Sequence, residues 1–139
     1  NLGAVLRAAD GAAASGVVVP KDRAAGVTPA AVKASAGASE HVRLARVTNL
    51  RRAVDRMKEE GLWVYAAEPG GENYAEADLS GPVALVLGSE GRGVRRLVRE
   101  GCDGVLSIPM LGAVSSLNVS VAAAILLYEA RRQRGWRST

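Results

Sequence analysis

The sequence predicts an α/β fold in which a parallel sheet is flanked by helices. Short apolar runs of strand length alternate along the chain with stretches whose apolar residues recur at helical spacing, which is typical of parallel α/β sheets. One run, residues 83–87, is apolar at every position, as expected of a strand covered on both faces. The length of 139 residues suits one domain, and with 48% hydrophobic residues this domain can bury one core.

The first part of the chain predicts two helices and one strand. From Leu2 to Ala9 the apolar residues fall at i, i+3, i+4 and i+7, which indicates an amphipathic helix. Residues 16–19 form a short apolar strand that ends at a proline. Thr28, as cap, and the proline after it open a second helix that runs to about residue 37.

The middle of the chain continues the alternation. Residues 42–47 are a predicted strand. Thr48 or Asn49 caps the next helix, which carries one apolar stripe and ends at Gly61. Residues 62–67 form the strand that follows it.

The last part predicts the elements that carry the candidate site. Residues 69–80 are a polar, glycine-containing connection to the apolar strand 83–87. A short helix around Leu97 and a strand at residues 105–108 come next. The closing helix, residues 119–134, is apolar almost all round, and such a helix is usually buried.

Composition narrows the classes of protein that fit. Lys and Arg total 18 against 14 Asp and Glu, and the net charge of +4 permits a polyanionic partner without requiring one. Aromatic residues make up only 4%, so stacking on bases is not the expected mode of nucleic-acid recognition. The single cysteine, Cys102, excludes a disulfide within the chain and gives no zinc ligand set, and its apolar neighbours predict a buried or half-buried thiol. Because neither a signal peptide nor an apolar run of transmembrane length is recognisable, we expect a cytoplasmic protein with no membrane partner and no metal.

Small polar side chains precede the last helix. Ser115, Ser116 and Asn118 lie where the strand at residues 105–108 has ended and the apolar helix begins. Helix N-termini present free N–H groups and a partial positive charge, which can bind the polar end of a ligand. A simpler interpretation is that Ser116 or Asn118 serves only as the N-cap, and the local pattern alone favours it.

A glycine-rich segment, residues 88–93, follows the apolar strand. Its spacing, G-x-x-G-x-G, differs from the dinucleotide fingerprint G-x-G-x-x-G, and no Gly-Lys-Ser/Thr ending marks it as a phosphate-binding P-loop. A loop between a strand and a helix is the place where open α/β sheets bind ligands. The pattern by itself fits a tight turn as well as a ligand-binding loop.

Three segments together resemble, in order, the three motifs of the SpoU/TrmH branch of the SPOUT RNA methyltransferases: residues 1–9, 85–93 and 108–120. The resemblance extends from Asn1 to about Gln133. Residues 33–41 and 46–50 are similar to the enzymes that methylate a guanosine 2′-hydroxyl in the peptidyl-transferase region of 23S ribosomal RNA. The resemblance implies a SPOUT fold with a C-terminal trefoil knot, and S-adenosylmethionine as the methyl donor.

The resemblance also implies a pocket for this cofactor. Gly88 would let the backbone approach the ligand, because no Cβ intrudes there. Ile108, Met110 and Leu117 would form the other walls, and backbone amides and carbonyls there would bind the adenine edge.

For catalysis the resemblance points to Arg7, which lies off the apolar stripe of its helix and would otherwise be a solvated surface residue. Family proposals make this arginine the general base, yet taking a proton from a guanidinium at neutral pH costs roughly 7–9 kcal/mol. We favour a role in orienting the hydroxyl and stabilising the developing alkoxide. The other motif residues in the candidate catalytic set are Asn1, Glu90, Ser116 and Asn118.

The resemblance implies a homodimer in which the arginine reaches across the interface, with RNA, most specifically 23S ribosomal RNA, as the substrate. Family members carry a strand before the residue matching Asn1, and many carry a further RNA-binding domain, so we expect residues 1–139 to be a catalytic domain that lacks both. The arginine-rich faces of the helices are either solvated or bind RNA phosphates. Two alternatives are a tRNA guanosine 2′-O-methyltransferase of the same family and a catalytically idle RNA-binding assembly factor. A third, a nucleotide-binding Rossmann enzyme, is disfavoured because the dinucleotide fingerprint is missing.

Overall fold

The computed structural model describes residues 2–21, 41–89 and 92–136. Within these ranges the helices are α1 (Leu2–Gly11), α2 (Leu50–Glu59), α3 (Arg96–Gly101) and α4 (Val119–Arg134). The strands are β1 (Gly16–Pro20), β2 (Arg43–Val47), β3 (Trp63–Asn73), β4 (Val83–Leu87) and β5 (Gly104–Ser107). The predicted helix at residues 28–37 lies outside the described residues.

All strand pairs in the described ranges are parallel, which confirms the predicted α/β class. β1 pairs with β2, from Gly16 opposite Arg43 to Pro20 opposite Val47. In a second sheet β3 lies between β4 and β5. The described strands therefore form two sheets instead of one.

Helices cover both faces of the three-stranded sheet. On one face, α2 and α3 bury Val54 and Val98 against Val86 of β4. On the other face, Ala130 of α4 belongs to a cluster that includes Leu85 of β4. Because successive strand residues point to opposite faces, the neighbours Leu85 and Val86 reach both layers, which is why this strand is apolar throughout.

A groove of about 1380 Å³ separates β1 from β4, and both strands line it along their full length. Residues of all four helices also contribute to its walls, among them Leu2, Val5 and Ala9 of α1. Within the described residues, β1 is paired only with β2, and the edge of β4 away from β3 has no strand partner. The groove thus lies between two open edges of parallel strands.

Several predicted boundaries are confirmed. Asn49 is the N-cap of α2, since its side chain accepts a hydrogen bond from the Arg52 amide at 3.0 Å. The closing helix spans Val119–Arg134, as its apolar pattern predicts. Cys102 is half-buried, as its neighbours predict, and burial raises the pKa of its thiol.

The predicted end of β3 near residue 67 is wrong. The strand continues to Asn73 after a bulge, because Ala67 and Glu72 both pair with Leu106 while the residues between them loop out. Gly70, at φ +86°, supplies the left-handed conformation that this bulge needs. The composition of residues 69–71 therefore marks a bulge within the strand and not its end.

One side of α4 is more exposed than its sequence suggests. Ala123, Leu126 and Ala130 are buried, whereas Val121 and Tyr128 are 46% and 41% exposed. A single chain therefore leaves part of this apolar helix in contact with water. Among the described helices, none combines the length and the apolar character needed to cross a membrane.

Candidate active site

Strands β4 and β5 end beside the point where β3 enters its bulge. Leu87, Ala67 and Leu106 form one row across β4, β3 and β5, and because all three strands are parallel, the carboxyl ends of β4 and β5 lie at the same edge of the sheet as this bulge. The next residues along β4 and β3 are Gly88 and Glu68. In open α/β sheets, ligands bind in the crevice outside such carboxyl ends.

The glycine loop after β4 closes on itself. The amides of Arg92 and Gly93 both donate to the Ser89 carbonyl, at 3.2 and 3.0 Å. Gly93 adopts φ +68°, and a Cβ placed on Gly88 would collide with the Gly93 carbonyl and the Val94 amide nitrogen. The tight-turn interpretation is thus confirmed, since the loop itself requires glycine at position 88. Contact of Gly88 with a cofactor stays a prediction, and a bulkier residue there would disturb the loop as well as any ligand.

A carboxylate that sequence reasoning missed lies beside this loop. Glu68 accepts hydrogen bonds from Arg99 Nη1 at 3.1 Å and from the Val94 amide at 3.4 Å, and its side chain is 17% exposed. It lies where β3 enters its bulge, and bulges frequently re-aim side chains next to active sites. The only signal for it in the sequence is its place ahead of Pro69 and two glycines.

The segment from residue 108 to residue 118 carries no regular secondary structure. Ile108 and Met110 are half-buried, while Leu117 is 36% exposed. The backbone N–H and C=O groups of residues 108–117 take no part in strand pairing. The segment leads from the carboxyl end of β5 to the N-terminus of α4, which places all three predicted pocket residues on this connection.

Asn118 is the N-cap of α4. Its side-chain oxygen accepts hydrogen bonds from the amide and the hydroxyl of Ser120, at 2.9 and 2.6 Å. The capping alternative is therefore confirmed for Asn118, and Ser116 is an exposed residue two positions earlier. A cap that stands at a helix N-terminus can also contact a ligand, so the two roles are compatible.

Arg7 lies on the exposed side of α1, opposite the buried Leu6 and Ala9. In the described part of one chain, no hydrogen bond or ion pair links its guanidinium to the glycine loop or to residues 108–118. Asn1 and Glu90, two further residues of the predicted catalytic set, lie outside the described residues. Gly88, Ile108 and Met110 thus follow strand ends at one edge of the sheet, and in the described residues no hydrogen bond or ion pair joins Arg7 to them.

Most basic side chains on α2 and α3 already have acidic partners. Arg51 pairs with Asp55 at 3.1 Å, and Arg96 pairs with Glu100 at 3.4 Å. Similar ion pairs hold Arg56, Lys58 and Arg99. This pairing favours solvated helix faces over a dedicated phosphate-binding patch. In the described ranges, no group of three or more His, Cys, Asp or Glu side chains could hold a metal ion.

Comparison with known proteins identifies similar chains. Residues 1–128 match the SpoU rRNA Methylase family. The chain is 53% identical over 136 residues to the 23S rRNA (guanosine-2'-O-)-methyltransferase RlmB of Shewanella oneidensis, covering 96% of this chain and 55% of that protein. The protein of the same name from Pseudomonas putida is 51% identical over 136 residues, with 96% and 54% covered. The chain thus spans about half the length of these relatives.

Solved structures are similar as well. The SpoU methyltransferase AviRb of Streptomyces viridochromogenes, in complex with the cofactor AdoMet, superimposes with a TM-score of 0.86 at 32% identity, covering 96% of this chain and 52% of that one. The TrmH/SpoU tRNA modifying enzyme of A. aeolicus gives a TM-score of 0.86 at 30% identity, with 95% and 68% covered. Both similarities extend over nearly the whole of this chain.

The cap at Asn118 makes a measurable prediction. Asn118→Ala should lower the free energy of unfolding by about 0.5–2 kcal/mol, because the first turn of α4 loses its side-chain acceptor. Asn118→Asp keeps an acceptor oxygen and should retain most of the stability. Urea denaturation of both variants, with Ser116→Ala as the matched control, checks this. An alanine variant as stable as wild type would show that Asn118 does not stabilise the helix.

Proposed function

The chain belongs to the SpoU rRNA Methylase family, and we propose that it transfers a methyl group from S-adenosylmethionine to the 2′-hydroxyl of a guanosine in 23S ribosomal RNA. One observation carries the proposal: the glycine loop and the connection to α4 meet at one sheet edge in a chain about half identical to enzymes named for this reaction. The two relatives named for 23S ribosomal RNA are 51% and 53% identical to this chain, which favours ribosomal RNA as the substrate.

The residues at this edge fit S-adenosylmethionine. The half-buried Ile108 and Met110, together with Leu117, offer apolar contacts to the adenine ring. Backbone groups of residues 108–117 would bind the polar edge of that ring. The glycine loop would form one wall of the pocket, and it closes tightly because the Gly93 backbone fills the space that a Cβ on Gly88 would occupy.

The reaction needs little covalent chemistry from the protein. S-adenosylmethionine supplies a methyl group that its positively charged sulfur makes electrophilic. The ribose oxygen forms a bond to the methyl carbon as the carbon–sulfur bond breaks, and the hydroxyl proton passes to an acceptor such as water. Arg7 would orient this hydroxyl and stabilise the negative charge that grows on its oxygen. Ser116 and Asn118 would present polar groups at the N-terminus of α4. Asn1 and Glu90 would complete the set by orienting the ribose or Arg7.

We place Arg7 in the site of a second copy of the chain. Apolar side chains stand exposed on the connection to α4 and on the first turns of that helix, including Leu111 at 98%, Val114 at 67% and Val121 at 46%. Such a patch is typical of an interface. Because α1 packs against α4, a two-fold contact made by this patch would bring Arg7 of one protomer towards the crevice of its partner.

The groove between β1 and β4 is proposed to hold a strand that precedes Asn1 in the intact protein. One parallel strand there would pair with both open edges and join the two sheets in the order β2-β1-strand-β4-β3-β5. It would lead directly into α1, whose Leu2 and Val5 already line the groove, as parallel strands linked by a helix require. Residues 1–139 would then form a catalytic domain whose first strand precedes Asn1.

Two finer features belong to the same proposal. The similarity to SpoU methyltransferase structures supports a trefoil knot in the C-terminal part of the chain. The proposed ribosomal RNA substrate supports a cytoplasmic location.

Methyl transfer and the role of Arg7 are tested together. Single-turnover assays with labelled S-adenosylmethionine should place the label on a guanosine 2′-oxygen of 23S ribosomal RNA. Arg7→Ala should slow this step roughly 10²–10³-fold while cofactor affinity stays unchanged, because Arg7 acts on the hydroxyl in the transition state. Arg7→Lys should recover little, since a point charge does not reproduce a planar fork of donors.

The outcomes of this assay separate the alternatives. Label in tRNA alone would indicate the tRNA enzyme, and RNA binding without transfer would indicate an idle assembly factor. Turnover of Arg7→Ala within about threefold of wild type, under 1 kcal/mol of barrier, would remove Arg7 from the catalytic set.

The mass of the protein in solution tests the proposed dimer. Sedimentation equilibrium of the intact protein should give twice the chain mass, and Val121→Asp should shift it towards monomer because it puts a charge into the apolar patch. Trp63→Asp, at a similarly exposed apolar position on β3, is the control and should leave the mass unchanged. A fully active monomer would contradict the shared site.

The missing strand is tested by extending the chain. A version that carries the residues preceding Asn1 should show slower amide hydrogen exchange in β1 and β4 than the 139-residue chain, because both open edges become paired. The control is the same extension with two prolines introduced, which cannot complete the ladder. Unchanged exchange at both edges would refute the proposed strand.

A further inference from the structure

The carboxylate of Glu68 contacts both the end of the glycine loop and the helix α3 that follows it. Its Oε1 accepts from Arg99 Nη1 at 3.1 Å, and Arg99 belongs to α3. Its Oε2 accepts the Val94 amide at 3.4 Å, where the loop ends. A Cβ on Gly93 would lie 3.1 Å from the same Oε2, so the carboxylate also packs against the open face of that glycine.

These contacts differ from an ordinary surface ion pair. Exposed pairs contribute little, whereas this carboxylate is 17% exposed and also accepts a backbone N–H. The loop is fixed at Gly88 by β4, and at its other end Glu68 fixes Val94 to the neighbouring strand β3. The bulge of β3 begins at Glu68, which explains how a strand residue turns its side chain towards the adjoining loop.

We propose that Glu68 is a positioning residue for the methyl-donor pocket: its carboxylate holds the glycine loop and α3 at the carboxyl edge of the sheet in the conformation that binds S-adenosylmethionine. This inference rests on the proposed function for the identity of the ligand. That Glu68 holds the end of the loop and α3 together follows from its hydrogen bonds to Val94 and Arg99 and does not depend on the ligand.

Isothermal titration of the intact protein with S-adenosylmethionine tests the role. Glu68→Gln keeps the shape of the side chain and removes its charge, and should weaken binding about tenfold, as expected for the loss of one charge-assisted hydrogen bond. Glu68→Ala should weaken it further. The matched control is Glu100→Gln, which breaks the Arg96 ion pair on the same short helix without touching the loop, and should bind as wild type does.

Far-UV circular dichroism and Tm separate positioning from misfolding, because the isosteric Glu68→Gln should leave both near wild type. An affinity of Glu68→Gln and Glu68→Ala within twofold of wild type would overturn the proposal. Equal weakening of S-adenosylmethionine binding by Glu100→Gln would also overturn it, because the loss of any ion pair on α3 would then be enough to weaken binding.

A second measurement needs no ligand. Hydrogen exchange of the Val94 amide should be faster in Glu68→Ala than in wild type and unchanged in Glu100→Gln, because Glu68 accepts this N–H and Glu100 does not contact it. Equal exchange in wild type and Glu68→Ala would overturn the positioning role. A wild-type protein that binds no S-adenosylmethionine would instead refute the proposed function, and the exchange of Val94 would still decide the role of Glu68.

Discussion

The parallel register of β3 with β4 and β5 determines where every element of the candidate site lies. Because the three strands run in one direction, the loop after β4, the bulge of β3 and the connection after β5 leave the sheet at the same edge. The same register places Glu68 next to the loop that Gly88 begins. If one of these strands were antiparallel, its loop would emerge at the opposite edge and the crevice would lose a wall.

One chain leaves part of its apolar surface exposed, and this surface connects the fold to the proposed assembly. β4 is apolar on both faces because helices cover both, and the groove beside it continues this apolar environment to β1. Apolar side chains of α4 and of the segment before it are also exposed, on the outer surface of the chain. A strand in the groove and a second copy on α4 would bury these two surfaces, and the proposed second copy would also contribute its Arg7 to the crevice.

The sequence predicts the elements well where the signal is local, and poorly where it depends on distant pairing. The cap at Asn49 and the span of α4 follow from residue types within a few positions. The continuation of β3 beyond residue 67 does not, because Gly70 has the same local signature in a bulge as in a turn, and only pairing with β5 distinguishes them. Glu68 escaped notice for a similar reason, since its partner Arg99 lies 31 residues away and no periodic pattern connects them.

Family resemblance adds the chemistry that local patterns leave open. The spacing at residues 88–93 fits a tight turn, and the structure confirms that turn, with Gly88 packed against the loop's own backbone. The likeness to the SpoU family suggests that this turn also forms a wall of a cofactor pocket. Hydrogen-exchange mass spectrometry of the intact protein, with and without S-adenosylmethionine, tests this most directly. Our account predicts slower exchange on binding in residues 86–94 and 107–119, with little change in β1 and β2. Protection confined to β1, β2 and the groove, with none at the carboxyl edge, would contradict it.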